Sequence, residues 1–312
     1  MSIKTALHDI YDLIRLPLGI MAAIAGLTAG MIVVLVQEST SGDTFFDFVL
    51  SYLEVHWDLA ILGLSIPFLI VGASMSINDY HDYEADRINN RTDRPLVRNP
   101  KLDPNYVLFL SLFMIAIGIL LSLFLFFDNL WVVFGVVFFS FLSLAYNLWT
   151  KEKGLLGNIT VATCDTAPYL LALIAMGATD VNTVLVVAIM SVITFCGVVG
   201  RELIKGVMDM EGDEAAGSYT FALRYGPKRA VILASVFFLG VIILAPAPLF
   251  IIFQNNLLYL FFIVIAIFLF LYSVLILLND HSYETGKKAR HYTRTALWMG
   301  AIAFLIGAIC LF

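Results

Sequence analysis

Charged side chains are scarce. They make up 13% of the chain, about half of the roughly 25% usual in soluble domains. A soluble enzyme with a hydrated surface is thereby excluded. Cysteine is scarce too: Cys164, Cys196 and Cys310 are the only ones. All three lie in apolar runs, and none has a partner at metal-ligand spacing. They are expected to be buried small hydrophobes. A cleavable signal peptide is not expected. The opening MSIKTALHDIYDLIRLPLG places acids and a late Arg15 ahead of its apolar run, so that run is expected to stay as a span. The net charge of -6 averages two sides of a membrane and names no partner. Neither nucleic acid nor an obligate protein partner is expected.

What the chain has in abundance is apolar length: 61% of its 312 residues are hydrophobic. A helix needs about 20 apolar residues to cross a bilayer core. Nine runs qualify, near 16–36, 57–77, 105–127, 130–149, 156–177, 181–203, 229–253, 257–278 and 293–312. Lipid offers no hydrogen-bond partners to the backbone, and no strand-like alternation is visible, so the fold class is all-α. Pro246 and Pro248 should kink or end the seventh run.

All 18 basic residues fall on one side, before the first run or at the junctions of alternate runs. The positive-inside rule then predicts a cytoplasmic N-terminus, an external C-terminus and two long cytoplasmic loops, in an integral protein of the cell membrane. One domain is expected over 1–312. A faint pseudo-repeat relates 1–150 to 151–290, with a ninth helix left over.

The informative polar stretches follow the second and sixth runs. NDYHDYEAD places Asn78, Asp82 and Asp86 at i, i+4 and i+8, on one helical face, with Asp79 at its border. GRELIKGVMDMEGDEAAG places Arg201, Lys205, Asp209 and Asp213 in a second i+4 ladder. Gly212 and Gly217 should end that helix. Like charges so spaced repel, so something positive should offset them. Clustered carboxylates with room for water and phosphate oxygens suit Mg²⁺. A solvated loop that only sets topology is the plainer reading of either cluster alone. Two clusters, each starting at a membrane exit, argue against it. An EF-hand is excluded by spacing and loop length. A transporter would hold its acids at mid-membrane in broken helices, whereas these sit at one exit.

NDYHDYEAD resembles the NDxxDxxxD motif of UbiA-type intramembrane prenyltransferases, and DMEGD their second motif, DxxxD. Asp93–Pro95 (DRP), GLLGN at the start of the fifth run, and Tyr146 followed by Lys151 resemble further elements of that family. The likeness covers nearly the whole chain. It implies nine helices bundled around a central cavity open sideways to lipid, a prenyl diphosphate donor, two Mg²⁺ ions and a lipid-soluble acceptor. It implies Asn78, Asp82 and Asp86 as ligands of one metal, and Asp209 and Asp213 of the other. Lys151, Arg201 and Lys205 would hold the diphosphate, and Asp82, Asp86, Asp213 and Lys205 would carry the catalysis. The family's Tyr–Lys pair is often four residues apart, but position 150 is Thr, so Lys151 or Lys153 must serve. The run LVRNPKLDP also lacks the PSGR-like run common after the family's first motif, so the resemblance assigns no role to Arg94 or Arg98.

RELIKGVMDMEGDEAAGSYTFALRYG is similar to the branch that adds a second geranylgeranyl group to geranylgeranylglyceryl phosphate in archaeal ether-lipid synthesis. Enzymes that prenylate an aromatic ring in quinone synthesis are the alternative. Chlorophyll synthases share EGD but tend to carry Asn-Asp where this chain has Arg201-Glu202. Arg15, Arg94 and Arg224 are candidates for an acceptor phosphate, or else snorkelling residues of the cytoplasmic face. Tyr146 is either an aromatic face for an allylic cation or an interfacial belt residue. Asp165 lies deep in the fifth run, where a carboxylate costs roughly 2.5–3.5 kcal/mol on insertion scales. It is expected to hydrogen-bond a neighbouring helix, with a role toward the acceptor as the other reading.

Overall fold

The computed structural model describes residues 3–38, 45–88, 91–215 and 219–311. Among them there is no strand. Helix α1, Ile3–Leu13, precedes α2, Leu16–Glu38. The long α3, Phe45–His81, is followed by two short helices, α4 (Tyr83–Ile88) and α5 (Pro95–Arg98). Then come α6, Pro104–Leu125, and α7, Leu130–Ala145, which continues as a π-helical turn over Tyr146–Thr150. The fifth expected run is broken into α8, Leu155–Asp165, and α9, Ala167–Ala175. Helix α10, Val181–Met208, leads into the short α11 (Met210–Ala215) and α12 (Phe221–Tyr225). The chain ends with α13 (Pro227–Leu244), α14 (Pro248–Ile251), α15 (Leu257–Asn279) and α16 (Tyr283–Ile309).

Eight helical segments among the described residues are long and apolar enough to cross a membrane. The remaining expected run, 57–77, lies inside α3, whose side chains are not all described. The expected count of nine is therefore met approximately. Asp103, Asp180 and Asn256 cap helices α6, α10 and α15 by accepting the backbone N–H of Asn105, Thr183 and Tyr259. Short polar side chains at these ends satisfy donors that the first helical turn leaves free.

Most of the core lies among α2, α10, α13, α15 and α16, around Ile32, Met190, Phe238, Tyr259 and Phe270. The pair Pro246 and Pro248 ends α13 early, as expected. The carbonyl of Ala245 is left at that break, and the fully buried Tyr259 donates its hydroxyl to it at 2.7 Å. Helices α2 and α3 approach backbone to backbone at Gly26, where a Cβ would stand 3.0 Å from the Gly63 carbonyl oxygen. Small residues allow such contact inside lipid, where close packing drives association. The expectation of buried cysteines is not met. Cys164 and Cys196 are only half-buried, and Cys310 is exposed because α16 ends just before it. Gly217 and residues 39–44 of the expected external loop lie outside the described residues.

Candidate active site

A cavity of about 650 Å³ opens within the bundle. Its wall recurs along α2 from Leu18 to Leu35. At 1.5 Å per residue that wall is about 25 Å long. The deep part is apolar, with Met31, Met176 and Phe304 in its wall. Polar groups are few and include Arg15, Asn78, Tyr146, Arg201, Glu202 and Lys205. Five of these six were singled out from sequence, and they do converge.

The first acidic cluster stands beside this polar end. Helix α3 stops at His81, so Asp82 falls at a break. The helical phase survives it, since Asp82 N–H donates to Asn78 and Asp86 N–H to Asp82. Asp82 accepts hydrogen bonds from the Asn78 amide at 2.8 Å and from the Lys151 ammonium. The second cluster breaks in the same way. Asp209 caps α10, and backbone bonds from Asp209 to Lys205 and from Asp213 to Asp209 carry the ladder into α11.

Asp79 is more than the border residue the spacing made it. It is 2% exposed and accepts from Arg15 at 3.0 Å and Arg94 at 3.3 Å. Arg94 also lies 3.6 Å from Asp86. Arg15 reaches Asp79 from a left-handed backbone, φ 47°, a conformation that non-glycine residues avoid unless the surroundings impose it. Arg98 and Asn99 tie the following loop to α1 through Asp9, at 2.8 and 2.7 Å.

Lys151 settles the spacing puzzle. In the π-helical turn the Lys151 N–H donates to the carbonyl of Tyr146, five residues back, at 2.9 Å. A π turn absorbs one extra residue. It sets Lys151 below Tyr146, much as a lysine four residues away sits in an α-helix. Burial lowers the Lys151 pKa, against the opposing pull of Asp82. Lys153 is exposed and borders a separate, smaller cavity with Tyr219, Arg224 and Tyr225. Arg224 lies over the Tyr225 ring, 5.4 Å from its centroid. Lys151, and not Lys153, contacts the first ledge, while Lys153 and Arg224 lie together at the smaller cavity.

Lys151 lies near both ledges. Asp213 feels Lys205 and Lys151, and Lys151 feels Asp82. Burial first, and the neighbouring Asp209 second, push the Asp213 carboxyl up to about 6. Burial likewise raises Asp86, against Arg94. Among the described residues no three His, Cys, Asp or Glu side chains converge closely enough to hold a metal ion. Asp79, Asp82 and Asp86 each face a cation instead. The donor set nevertheless fits magnesium, because it is all oxygen. The buried Asp79 Oδ2 also has no hydrogen-bond partner.

Two residues of the cavity were missed. Glu202 was read only as part of a pattern, and Arg290 only as a mark of topology. Asp165 departs from its expected role. It lies where α8 gives way to α9, opens onto the cavity, and makes no hydrogen bond through its side chain among the described residues.

A family model for the UbiA prenyltransferase family matches residues 44–294. The chain is 31% identical over 310 residues to a digeranylgeranylglyceryl phosphate synthase of Archaeoglobus fulgidus, covering 98% of this chain and 97% of that one. It superposes with a TM-score of 0.70 and 26% identity on a solved structure from work on digeranylgeranylglyceryl phosphate synthase in membranes, covering 97% and 98% of the two chains. A UbiA homolog from Archaeoglobus fulgidus, solved with DMAPP and Mg²⁺, shares the fold at a TM-score of 0.58 and 14% identity, over 95% and 99% of the two chains.

Proposed function

This chain belongs to the UbiA prenyltransferase family, and from that premise we propose that it moves a geranylgeranyl group from its diphosphate to the free hydroxyl of geranylgeranylglyceryl phosphate. The observation that carries this reading is a long apolar cavity with two acidic ledges at its polar end and Lys151 acting on both. An isoprenoid chain suits the apolar part, and a diphosphate suits the polar end. The likeness to digeranylgeranylglyceryl phosphate synthases along almost the whole chain supports the acceptor.

In this reading the hydroxyl oxygen attacks the allylic carbon, the bond from that carbon to diphosphate breaks, and the hydroxyl proton is released. Asn78, Asp82 and Asp86 would hold one Mg²⁺, and Asp209 and Asp213 the other. Bound there, the metal supplies Lewis acidity that neutralises the departing diphosphate. Lys151 and Lys205 hold the diphosphate by charge. Tyr146 turns an aromatic ring toward the cavity, where an allylic cation can be stabilised without being captured. The apolar wall keeps water from capturing it instead.

The test is a panel of acceptors, given to purified enzyme in detergent with Mg²⁺ and labelled geranylgeranyl diphosphate. Ether product is expected from geranylgeranylglyceryl phosphate. Product from 4-hydroxybenzoate or a naphthoate, with none from the glycerol phosphate, would leave a prenyltransferase of another branch.

The segregation of basic residues supports a site on the cytoplasmic side, with the N-terminus inside and the C-terminus outside. An impermeant thiol reagent checks this on intact cells carrying Cys310→Ser. A cysteine introduced within 45–56 should react, and one within 91–101 should not. The reverse pattern would invert the topology.

A further inference from the structure

Two guanidinium groups line the cavity with no hydrogen bond or salt bridge among the described residues. Arg201 lies seven residues before the end of α10, and Arg290 seven residues after the start of α16. The chain crosses the bundle twice between them, so both ends lie on one side. The backbone of each arginine then lies about 10 Å inward from that end of its helix. The two helices pack together. The Arg201 Nε is buried without a hydrogen-bond partner.

The cations around the first ledge and α1 are engaged. Arg15 and Arg94 share Asp79, Lys151 holds Asp82, and Arg98 holds Asp9 and Asp12. The charges also sort into two sets. Those acting most on Lys151 are Asp82, Lys205 and Arg94. Those acting most on Arg201 are Glu202, Arg290 and Asp165. Glu202, 3.6 Å from Lys205, is shared between the sets. Glu202 is a single carboxylate facing Lys205, Arg201 and Arg290, so these three cations leave a net positive charge at this end that a further anion would offset. Guanidinium forks fit phosphate oxygens two at a time.

We propose that Arg201 and Arg290 form a second anion site, which grips the phosphate monoester of the acceptor apart from the diphosphate site. This rests on the glycerol phosphate reading above, and it moves Arg201 away from the diphosphate. A phosphate held there fixes the glycerol end of the acceptor, while its prenyl chain runs into the apolar part of the cavity. Arg290 is then the residue that tells a phosphorylated acceptor from an uncharged one.

Arg290→Gln tests this in the full-length enzyme. The acceptor KM should rise by tenfold to a hundredfold, on the order of a lost charge-assisted hydrogen bond. The donor KM should stay within about twofold of wild type, well under the tenfold that one lost interaction of this kind gives. Arg290→Lys should recover part of the loss. Thermal stability adds a readout independent of turnover. Geranylgeranylglyceryl phosphate should protect wild type more than its dephosphorylated form does, and Arg290→Gln should erase that difference. An unchanged acceptor KM overturns the site, and so does an equal rise in both KM values. These failures are distinct from failure of the acceptor reading, in which wild type itself makes no product from the glycerol phosphate.

Discussion

Asp82→Ala or Asp213→Ala is expected to leave a folded, membrane-inserted enzyme with less than about a tenth of wild-type turnover, a barrier rise above roughly 1.4 kcal/mol. Each change removes an oxygen from one ledge, and a Lewis-acid contact is worth several kcal/mol to the transition state. For Asp213→Ala stability should not follow activity. Asp213 is held up to about 6, first by burial and then by Asp209. A carboxyl with a raised folded pKa binds its proton more tightly when folded. Its contribution to stability is therefore poorest above about pH 6 and improves as pH falls from there toward 4. Losing that charge at pH 7 should leave thermal stability unchanged or higher when no Mg²⁺ is added. A drop in turnover beside an undiminished melting temperature marks a site bound to function. Either variant keeping more than a tenth of wild-type turnover would sink the two-ledge reading.

These ledges were legible because i+4 spacing is a property of sequence alone. Asp79 was not, because its spacing from Asn78 says nothing of which neighbours surround it. Its weight comes from Arg15 and Arg94, one 64 residues before it and the other 15 after it. Hydropathy located the membrane helices, since length in lipid is a composition rule. It could not show the breaks at Asp82, Thr166 and Asp209, where the chain stays polar or small and local propensity is indifferent. Arg290 was hidden by an explanation that already sufficed. A basic residue near the start of a span marks topology, and only the packing of α16 on α10 turns it toward the cavity. Lys151 and Lys153 were left as equals because the π turn that separates them cannot be read from YNLWT.

That turn makes Gly157 the second large lever. A Cβ at this position would stand 2.6 Å from the carbonyl oxygen of Thr150 and 2.9 Å from that of Lys151. Both are backbone atoms, so no side-chain rotation can relieve the clash. Overpacking of this kind costs about 1–3 kcal/mol, and the strain falls on the segment that aims Lys151 at Asp82. Gly157→Ala is therefore expected to cut turnover by at least about tenfold, with the Mg²⁺ requirement intact. The cause can be separated from general damage by a double-mutant cycle, because residues acting through one contact are not additive. Lys151→Ala should cost much less in the Gly157→Ala background than in wild type, since the lysine is already displaced there. If Lys151→Ala cost as much in both backgrounds, Gly157 would act elsewhere. The π turn would then be a local accommodation of one extra residue, with no part in placing the lysine.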